Sequence, residues 1–575
     1  KGVSVLIYDQ TCAAEKRRRR KRGTFPDPNR RAFINEAVCE GCGDCSTQSN
    51  CLSVVPVETE FGRKRAIDQS SCNKDFSCLK GFCPSFVTVE GGSLRKGKAT
   101  AKKKDDASVA ASIANEPALP PAPTLPTIEA RPWGVLITGI GGTGVVTIGA
   151  IMGMAAHIEG KGATVLDQLG MAQKGGAVIS HVRIGTTPEA LHAVRLGAGG
   201  ADLLLGCDLV VSSSADALAR LEPGRSKAVI NTHETITGEF TRRPDLAFPS
   251  NTLRLSIEAA AGAEAVDFIE ATELATGLLG DSIATNMFVL GYAYQKGLVP
   301  LGHAAIEQAI ELNGAAVPMN LAAFRWGRRA AADRAAVAQL IAPKDKDNVV
   351  RLPPRLSTTL EEIVTARVKH LTGYQNAALA ERYKALVEKV RAAELELGQT
   401  GLAETVARFY AKLLSYKDKY EGARLYTDAA FQAKLGRQFE GDYKLRFHLA
   451  PPLFAQRDPR TGHLIKQEFG GWVLPAFRLL AGLKGLRGTA FDPFGRTAER
   501  KTERRLITDY ERLVGELIGG LTPQNHPLAL KLAALPDEIR GYGHIKDANI
   551  EKARRKEAEL LAQWRNPAAL KAAAE

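Results

Sequence analysis

The chain has 575 residues, 45% hydrophobic and 24% charged, which is ordinary globular material for three or four domains. No apolar run reaches the ~18–20 residues of a membrane-spanning helix, so no membrane role is expected. Lys and Arg outnumber Asp and Glu by 77 to 63, a formal +14 that raises nucleic-acid binding as a class. That excess is local, since residues 1–104 hold 21 Lys/Arg against 11 Asp/Glu, and a general nucleic-acid reading is disfavoured.

The first element is the β-branched run Val3-Ser-Val-Leu-Ile-Tyr8, whose pattern predicts a buried parallel strand. The chain opens on Lys1 without a charged-then-apolar leader, so a cytoplasmic fragment of something longer is expected. Lys16 to Arg22 reads KRRRRKR, predicted to be a solvated linker. Its charge could also steer an acidic redox partner or raise the potential of a nearby anionic group. No aromatics interleave with it, which argues against a single-strand stacking platform.

Eight of the nine cysteines lie in the first 83 residues. An odd count without a secretion leader argues against a disulfide framework. Cys39-Glu-Gly-Cys42-Gly-Asp-Cys45 is C-x2-C-x2-C, Cys51 follows, and Cys72, Cys78 and Cys83-Pro84 come later. In bacterial ferredoxin runs three close thiolates hold one cubane, and the fourth, before Pro, holds the other cluster. Zinc prefers paired knuckles, which the downstream half lacks, and inert thiols do not cluster in this way.

Pairing across the halves gives one complete 4Fe–4S set, Cys39, Cys42, Cys45 and Cys83. Cys51, Cys72 and Cys78 remain, and Asp75 stands where a middle thiolate would fall in Cys72-Asn-Lys-Asp75-Phe-Ser-Cys78. Carboxylate is a harder ligand than thiolate, so a second cluster would carry a labile, Asp-ligated iron and exist as 4Fe–4S or 3Fe–4S. The competing reading makes Asp75 a solvated loop acid beside a single cluster. Cys12 and Cys207 read as packed thiols, Cys207 leading into a predicted strand over 209–213.

Residues 93–130 are rich in Lys, Ala and Pro and read as a linker. An α/β pattern follows: a strand from Trp133 runs into Gly139-Ile-Gly141-Gly142-Thr-Gly144, then a helix from Val145 to about Glu159. Further strands are predicted at 163–167, 177–184 and 228–231. Taken literally, G-x-G-x-x-G followed by Asp167 is a dinucleotide fingerprint for NAD or FAD. However, Asp167 lies farther on than the usual ~20 residues, and a second glycine-rich loop, 170–176, is one that such a domain does not need. Phosphate binding and tight-turn packing both stay open.

In the C-terminal third, Leu379, Tyr383, Leu386, Val387, Val390 and Leu397 predict an amphipathic helix over 377–397. Tyr443, Leu445, Phe447 and Leu449 alternate as a short strand. A polar turn over 541–547 precedes another helix, and its His544 and Lys546 could meet an anion or simply pack.

The stretches VCEGCGDCSTQSNCLSVVP, ETEFGRKRAIDQSSCNKDFSCLKGFCPSFVTVEGG and GVLITGIGGTGVVTIGAIMGMAAHIEGKGATVLDQLGMAQKGGAVISHVRIG, with VLIYDQTCAAEKRRRRKRG before them, resemble one family. It is the indolepyruvate ferredoxin oxidoreductase family of 2-oxoacid:ferredoxin oxidoreductases, in the C-terminal half of its fused bacterial form. The resemblance implies the tail of a thiamine diphosphate-binding domain at 1–24 and an α+β ferredoxin-like iron–sulfur module at 33–92. It also implies a doubly wound α/β gamma-type catalytic domain at 131–345 and a mainly helical domain at 346–575.

The implied reaction is oxidative decarboxylation of an aryl pyruvate or other 2-oxoacid to an acyl-CoA. Electrons would pass through the clusters to ferredoxin or a similar acidic partner, with CoA as co-substrate and a homo-oligomeric assembly. Thiamine diphosphate with Mg does the carbon chemistry in that family. Its G-D-G…N-N motif is absent from this sequence and is expected upstream. The rival classes are an iron–sulfur oxidoreductase with NAD or FAD at Gly139–Gly144 and a cluster-bearing nucleic-acid protein.

Overall fold

The computed structural model describes residues 4–7, 9, 11, 13–95, 118–128, 131–170, 176–341, 356–451, 456–460 and 462–566. In chain order the strands are β1 (Arg30–Ile34), β2 (Val54–Thr59), β3 (Gly62–Ile67), β4 (Phe86–Leu94), β5 (Trp133–Ile140) and β6 (Gly162–Leu169). They continue as β7 (Ala177–Gly185), β8 (Leu203–Gly206), β9 (Lys227–Asn231), β10 (Val266–Ile269), β11 (Phe439–Leu449) and β12 (Gln467–Gly470). The chain divides into two compact units, one holding residues 1–26, 96–240 and 245–353, the other residues 27–95, 241–244 and 354–575.

The first unit is an α/β layer built on a six-stranded sheet in the order β10-β9-β8-β5-β7-β6. Strand alternation sends Val135, Ile137, Leu203 and Leu205 into one core and Leu136, Leu204 and Ile230 into another, so helices cover both faces. The sheet is mixed, and here the doubly wound expectation is corrected: β7 runs antiparallel to both β5 and β6. The reason is the short connection over 170–176, because a parallel return needs a crossover of about a dozen residues or more.

A second correction concerns 209–213. The strand of that region is β8, and Leu209–Ser212 is a short helix whose start is fixed by Asp208 accepting a hydrogen bond from Val211 N at 2.9 Å. The Pro-rich end of the expected linker is part of this unit, since Leu125 and Ile128 pack on its core. The Pro120 carbonyl accepts from Arg328, and that of Pro121 from Gln295. Residues 96–117 lie outside the described residues, and residues 93–94 belong to β4.

The N-terminal expectations also change. Ser4–Ile7 form no strand, and Val5, Leu6 and Ile7 are 80%, 94% and 84% exposed. A strand needs a neighbour for its backbone groups, and none of the described residues supplies one. The basic run is helical rather than a linker, within Ala13–Lys21, where Glu15 pairs with Arg18 and Arg19 at 3.1 and 3.0 Å. Cys12 lies outside the described residues.

The second unit differs most from the sequence reading, which separates residues 33–92 from residues 346–575. Its sheet runs β1-β4-β11-β12, all antiparallel, with Phe33 opposite Val87 and Phe447 also opposite Val87 on the other side. Beneath it Phe33, Val38, Val87 and Val89 share one core with Tyr426, Phe431, Phe439 and Phe447. The cysteine-rich stretch thus completes its sheet and its core with the distant chain.

The β2–β3 hairpin docks in the same manner. Glu60 pairs with the buried Arg367 at 3.0 Å, and that guanidinium lies 4.3 Å from the Phe61 ring centre. The helices Ala377–Glu396, Leu402–Leu414 and Ala498–Gly519 contribute Tyr383, Tyr410 and Tyr510, whose rings stack in series.

Phe447 is fully buried at the centre of the shared core. Phe447→Ala is expected to cost about 3–5 kcal/mol. In urea unfolding of the full chain, the helical signal of the C-terminal region and thiol exposure in the first hundred residues should shift together. Thiols that became reactive while the helical transition stayed in place would contradict a shared unit.

Candidate metal centre

Two loops carry the cysteines, and local chemistry shapes both. After β1, Asn35 turns the chain: its carbonyl accepts from Val38 N and Cys39 N at 3.0 Å, and its side-chain oxygen accepts from Ala37 N at 3.1 Å. The loop then passes through left-handed Gly43 into the short helix Asp44–Ser49. In the second loop Lys74 and Phe76 take left-handed conformations at φ 52° and 60°, unusual for residues with a Cβ. The Arg30 guanidinium lies 4.3 Å from the Phe76 ring centre.

Gly81 lets the two loops touch, because a Cβ there would stand 2.8 Å from Cys45 Cα. The Asp44 carboxylate accepts from Phe82 N at 2.6 Å and ties them. Backbone amides already point at sulfur: Gly41 N donates to Cys39 Sγ at 3.3 Å and Lys74 N to Cys72 Sγ at 3.4 Å. Cys83 Sγ and Ser85 Oγ are 2.9 Å apart.

The thiols sort into two electrostatic neighbourhoods. Burial pushes the Cys42 thiol well up, and Cys83, Cys39 and Cys45 add to the shift. Burial and Cys39 push Cys83 up to about 11. Burial, then Cys51, Cys72 and Asp75, push Cys78 up to about 12. Burial raises Cys72 as well, with Cys51 and Asp75 contributing. One set is therefore Cys39, Cys42, Cys45 and Cys83; the other is Cys51, Cys72, Cys78 and Asp75. Cys45 stands between them, sensing Cys78 as well as Cys39 and Cys83.

Asp75 is exposed, and one of its oxygens accepts from Ser77 N and Oγ at 3.2 and 3.0 Å. These contacts tie Asp75 to the start of the turn Ser77–Lys80.

In donor chemistry these sets fit a soft, polynuclear metal group. Thiolates are costly in a buried setting and repel one another, and bound metal relieves both effects. Among the described residues no group of three or more His, Cys, Asp or Glu is placed to hold a metal ion.

Much of the surrounding shell comes from residues the motif does not reveal. Lys417 Nζ donates to the Cys39 carbonyl at 3.2 Å and pairs with Glu40. Burial alone would raise the Glu40 carboxyl, but Lys417 and Lys64 lead the cations that hold it at about 2. Lys466 Nζ donates to the carbonyls of Gly81 and, at 3.4 Å, Cys83. Tyr426 donates to the Pro84 carbonyl, and Tyr542 to that of Val38 at 2.5 Å. These residues lie hundreds of positions from the cysteines, as isolated Lys and Tyr without a spacing signal. Of the pair considered from sequence, His544 packs 4.9 Å from the Phe82 ring and stacks on His463, while Lys546 pairs with Glu503 at 2.7 Å.

The glycine turn belongs to the other unit and is described on its own. Gly141 N donates to the Gly176 carbonyl at 2.7 Å, and Thr143 Oγ1 to that of Ile140 at 2.7 Å. Gly144, at φ 82°, heads the helix Val145–Ile158, and a Cβ there would fall 2.2 Å from Asn286 Nδ2. Gly139 is the penultimate residue of β5 and Gly142 is exposed. Asp167 sits on β6 opposite Ser180, and β7 separates that strand from β5. In a dinucleotide fold the acid stands on the strand beside the glycine turn. The literal NAD or FAD fingerprint therefore loses its geometry.

Residues 134–330 match the family described as Pyruvate ferredoxin/flavodoxin oxidoreductase. Residues 360–559 match a Family of unknown function (DUF6537). The chain is similar to Indolepyruvate oxidoreductase subunit IorB of Archaeoglobus fulgidus, 28% identical over 201 residues, covering 34% of this chain and 92% of that protein. Its similarity to IorB of Methanothermobacter thermautotrophicus is 28% over 203 residues, 35% of this chain and 98% of that protein. Among solved structures it is similar to the keto/oxoacid ferredoxin oxidoreductase gamma subunit of Geobacter sulfurreducens, at 22% identity and TM-score 0.25, over 35% of this chain and 98% of that one. Residues 134–330 thus match a Pyruvate ferredoxin/flavodoxin oxidoreductase domain, and the relatives similar over that stretch are oxidoreductase subunits.

Proposed function

We infer that this chain is the electron-transfer and gamma-type part of an indolepyruvate, or related aryl pyruvate, ferredoxin oxidoreductase. The reading rests on one observation: two loops far apart in sequence bring Cys39, Cys42, Cys45 and Cys83 into one buried neighbourhood. Those four thiolates would hold a 4Fe–4S cluster. Cys51, Cys72 and Cys78 would hold a second, with Asp75 on its labile iron or as 3Fe–4S. Iron–sulfur clusters supply one-electron storage and passage.

The chain's own residues do the rest. The amides of Gly41 and Lys74 stabilise sulfur charge, and the aromatic core under β4 keeps water from the buried side. Cys45, which senses Cys78, shortens the gap between the two sets. The relatives' names give indolepyruvate as the substrate class, and ferredoxin or another acidic carrier fits as electron acceptor.

Thiamine diphosphate with Mg, for which this sequence carries no motif, would serve the carbon chemistry, with CoA as co-substrate. Gly139, Gly141, Gly142 and Gly144 form a turn at a helix start, suited to a phosphate-bearing group. A cytoplasmic homo-oligomer belongs to the same reading.

Anaerobically prepared full chain should carry about seven or eight irons, as two EPR-distinct clusters after reduction. Cys83→Ser should remove one signal and about half the iron. A chain that binds no iron on anaerobic reconstitution, or binds zinc instead, overturns the reading.

Asp75→Cys is the separate test of the second set. Conversion of a 3Fe–4S signal in the oxidised protein to 4Fe–4S behaviour is the expected result. A wild-type chain with only about four irons would make Asp75 a loop acid.

A further inference from the structure

Lys466 is the lysine of the C-terminal region that reaches the Cys83 loop. It is half-buried, and its ammonium donates to two backbone carbonyls of the loop that carries Cys83. It stands 5.4 Å from the centre of the Phe86 ring. Among the described residues no carboxylate lies within ion-pair distance of it. Removing an ammonium from water without a counter-ion is costly, and two neutral carbonyls only partly offset that cost.

Lys417 is a useful contrast. It reaches the carbonyl of Cys39 on the other loop, but it also pairs with Glu40, so its field is largely cancelled. The negative charge acting most strongly on Lys466 would come from the Cys83 sulfur, then from the Asp44 carboxylate, which also accepts from Phe82 N, and then from Cys45 and Cys78.

We propose that Lys466 is the fixed counter-charge of the Cys39, Cys42, Cys45 and Cys83 site, through which the C-terminal region sets that site's reduction potential. The proposal rests on the reading that these thiolates hold an iron–sulfur cluster. A cubane with four thiolates is net anionic, and each added electron increases that charge. A fixed cation on the carbonyls of a ligand loop stabilises the reduced form more than the oxidised form. The electron balance is simple: one electron enters the cluster, no bond is made or broken, and Lys466 keeps its proton throughout. Lys466 is thus a positioning and field residue and touches no substrate. It gives residues 360–559, matched only to a family of unknown function, a concrete role: that region completes the sheet and brings a cation to the cluster.

The test is an EPR-monitored redox titration of the anaerobic full chain, comparing wild type with Lys466→Met, Lys466→Arg and Lys417→Met, with iron counted for each. Lys466→Met should move the midpoint of one of the two signals to more negative potential and leave the other in place. At the wild-type midpoint its reduced fraction should fall several-fold. Lys466→Arg should restore the wild-type midpoint, and Lys417→Met should shift it less than Lys466→Met.

A Lys466→Met chain with wild-type iron and an unshifted midpoint overturns the proposal and leaves Lys466 a structural tie between loops. If Lys466→Met loses iron, Lys466→Arg decides the matter. Retained iron in the arginine variant supports a required charge, and lost iron overturns it. A wild-type chain that holds no cluster sinks the functional reading instead, and is distinguished by that result alone.

Discussion

The pairing of β4 with β11 is the interaction on which the rest of the second unit depends. Val87 and Val89 meet Phe447 and Leu445 across that ladder, and the face below is filled by Phe431, Phe439 and Tyr426. Without β11, β4, the strand after the cysteine loops, would have one short neighbour, β1, and an exposed apolar face. With it, the chain entering and leaving both loops is fixed at Ile34 and Phe86, which face each other in register. The loops themselves are short of regular structure, so their shape is set by these anchors and by a few polar contacts such as Asp44 with Phe82 N.

Charge follows from that packing. Bringing several thiols into a buried space raises Cys42, Cys45, Cys72, Cys78 and Cys83, and the loops answer with amides on sulfur and cations on carbonyls. The cations divide by partner. Lys417 is balanced by Glu40 at ion-pair distance, whereas Lys466 holds carbonyls and a ring, with Cys83 and Asp44 acting on it at longer range. Arg65 adds to the field near Cys45 from β3, on the cysteine-rich stretch itself. The unit therefore draws its positive charge from both ends of its sequence, from Lys64 and Arg65 on β3 and from Lys417 and Lys466 in the C-terminal region.

The α/β unit shows how one connection changes the meaning of a motif. The glycine turn after β5 opens a helix as its spacing requires, and Gly144 is held against Asn286 too closely for any side chain. β7, the next strand after β6, then lies between β5 and β6 and runs antiparallel to both. That insertion moves Asp167 away from the turn and removes the ribose contact of a dinucleotide site. A phosphate-binding turn and a dinucleotide fold share the first step and part at the second.

Local spacing alone determined a good deal. The cysteine intervals, the glycine turn, β5, β9, the helix over 377–396 and the alternation that became β11 are all properties of a few consecutive residues. Their physics is short-ranged: side-chain periodicity, a turn that only glycine fits, thiolates close enough to converge. The tertiary structure decided what depended on partners far along the chain. It made 209–212 a helix through an Asp208 cap, left Ser4–Ile7 unpaired, joined the cysteine stretch to the C-terminal region, and placed Lys466 on the Cys83 loop. A lysine has the same helix propensity and polarity wherever it stands, so nothing in its local sequence records that a distant carbonyl will need it. Only closure of the β4–β11 ladder brings the two together.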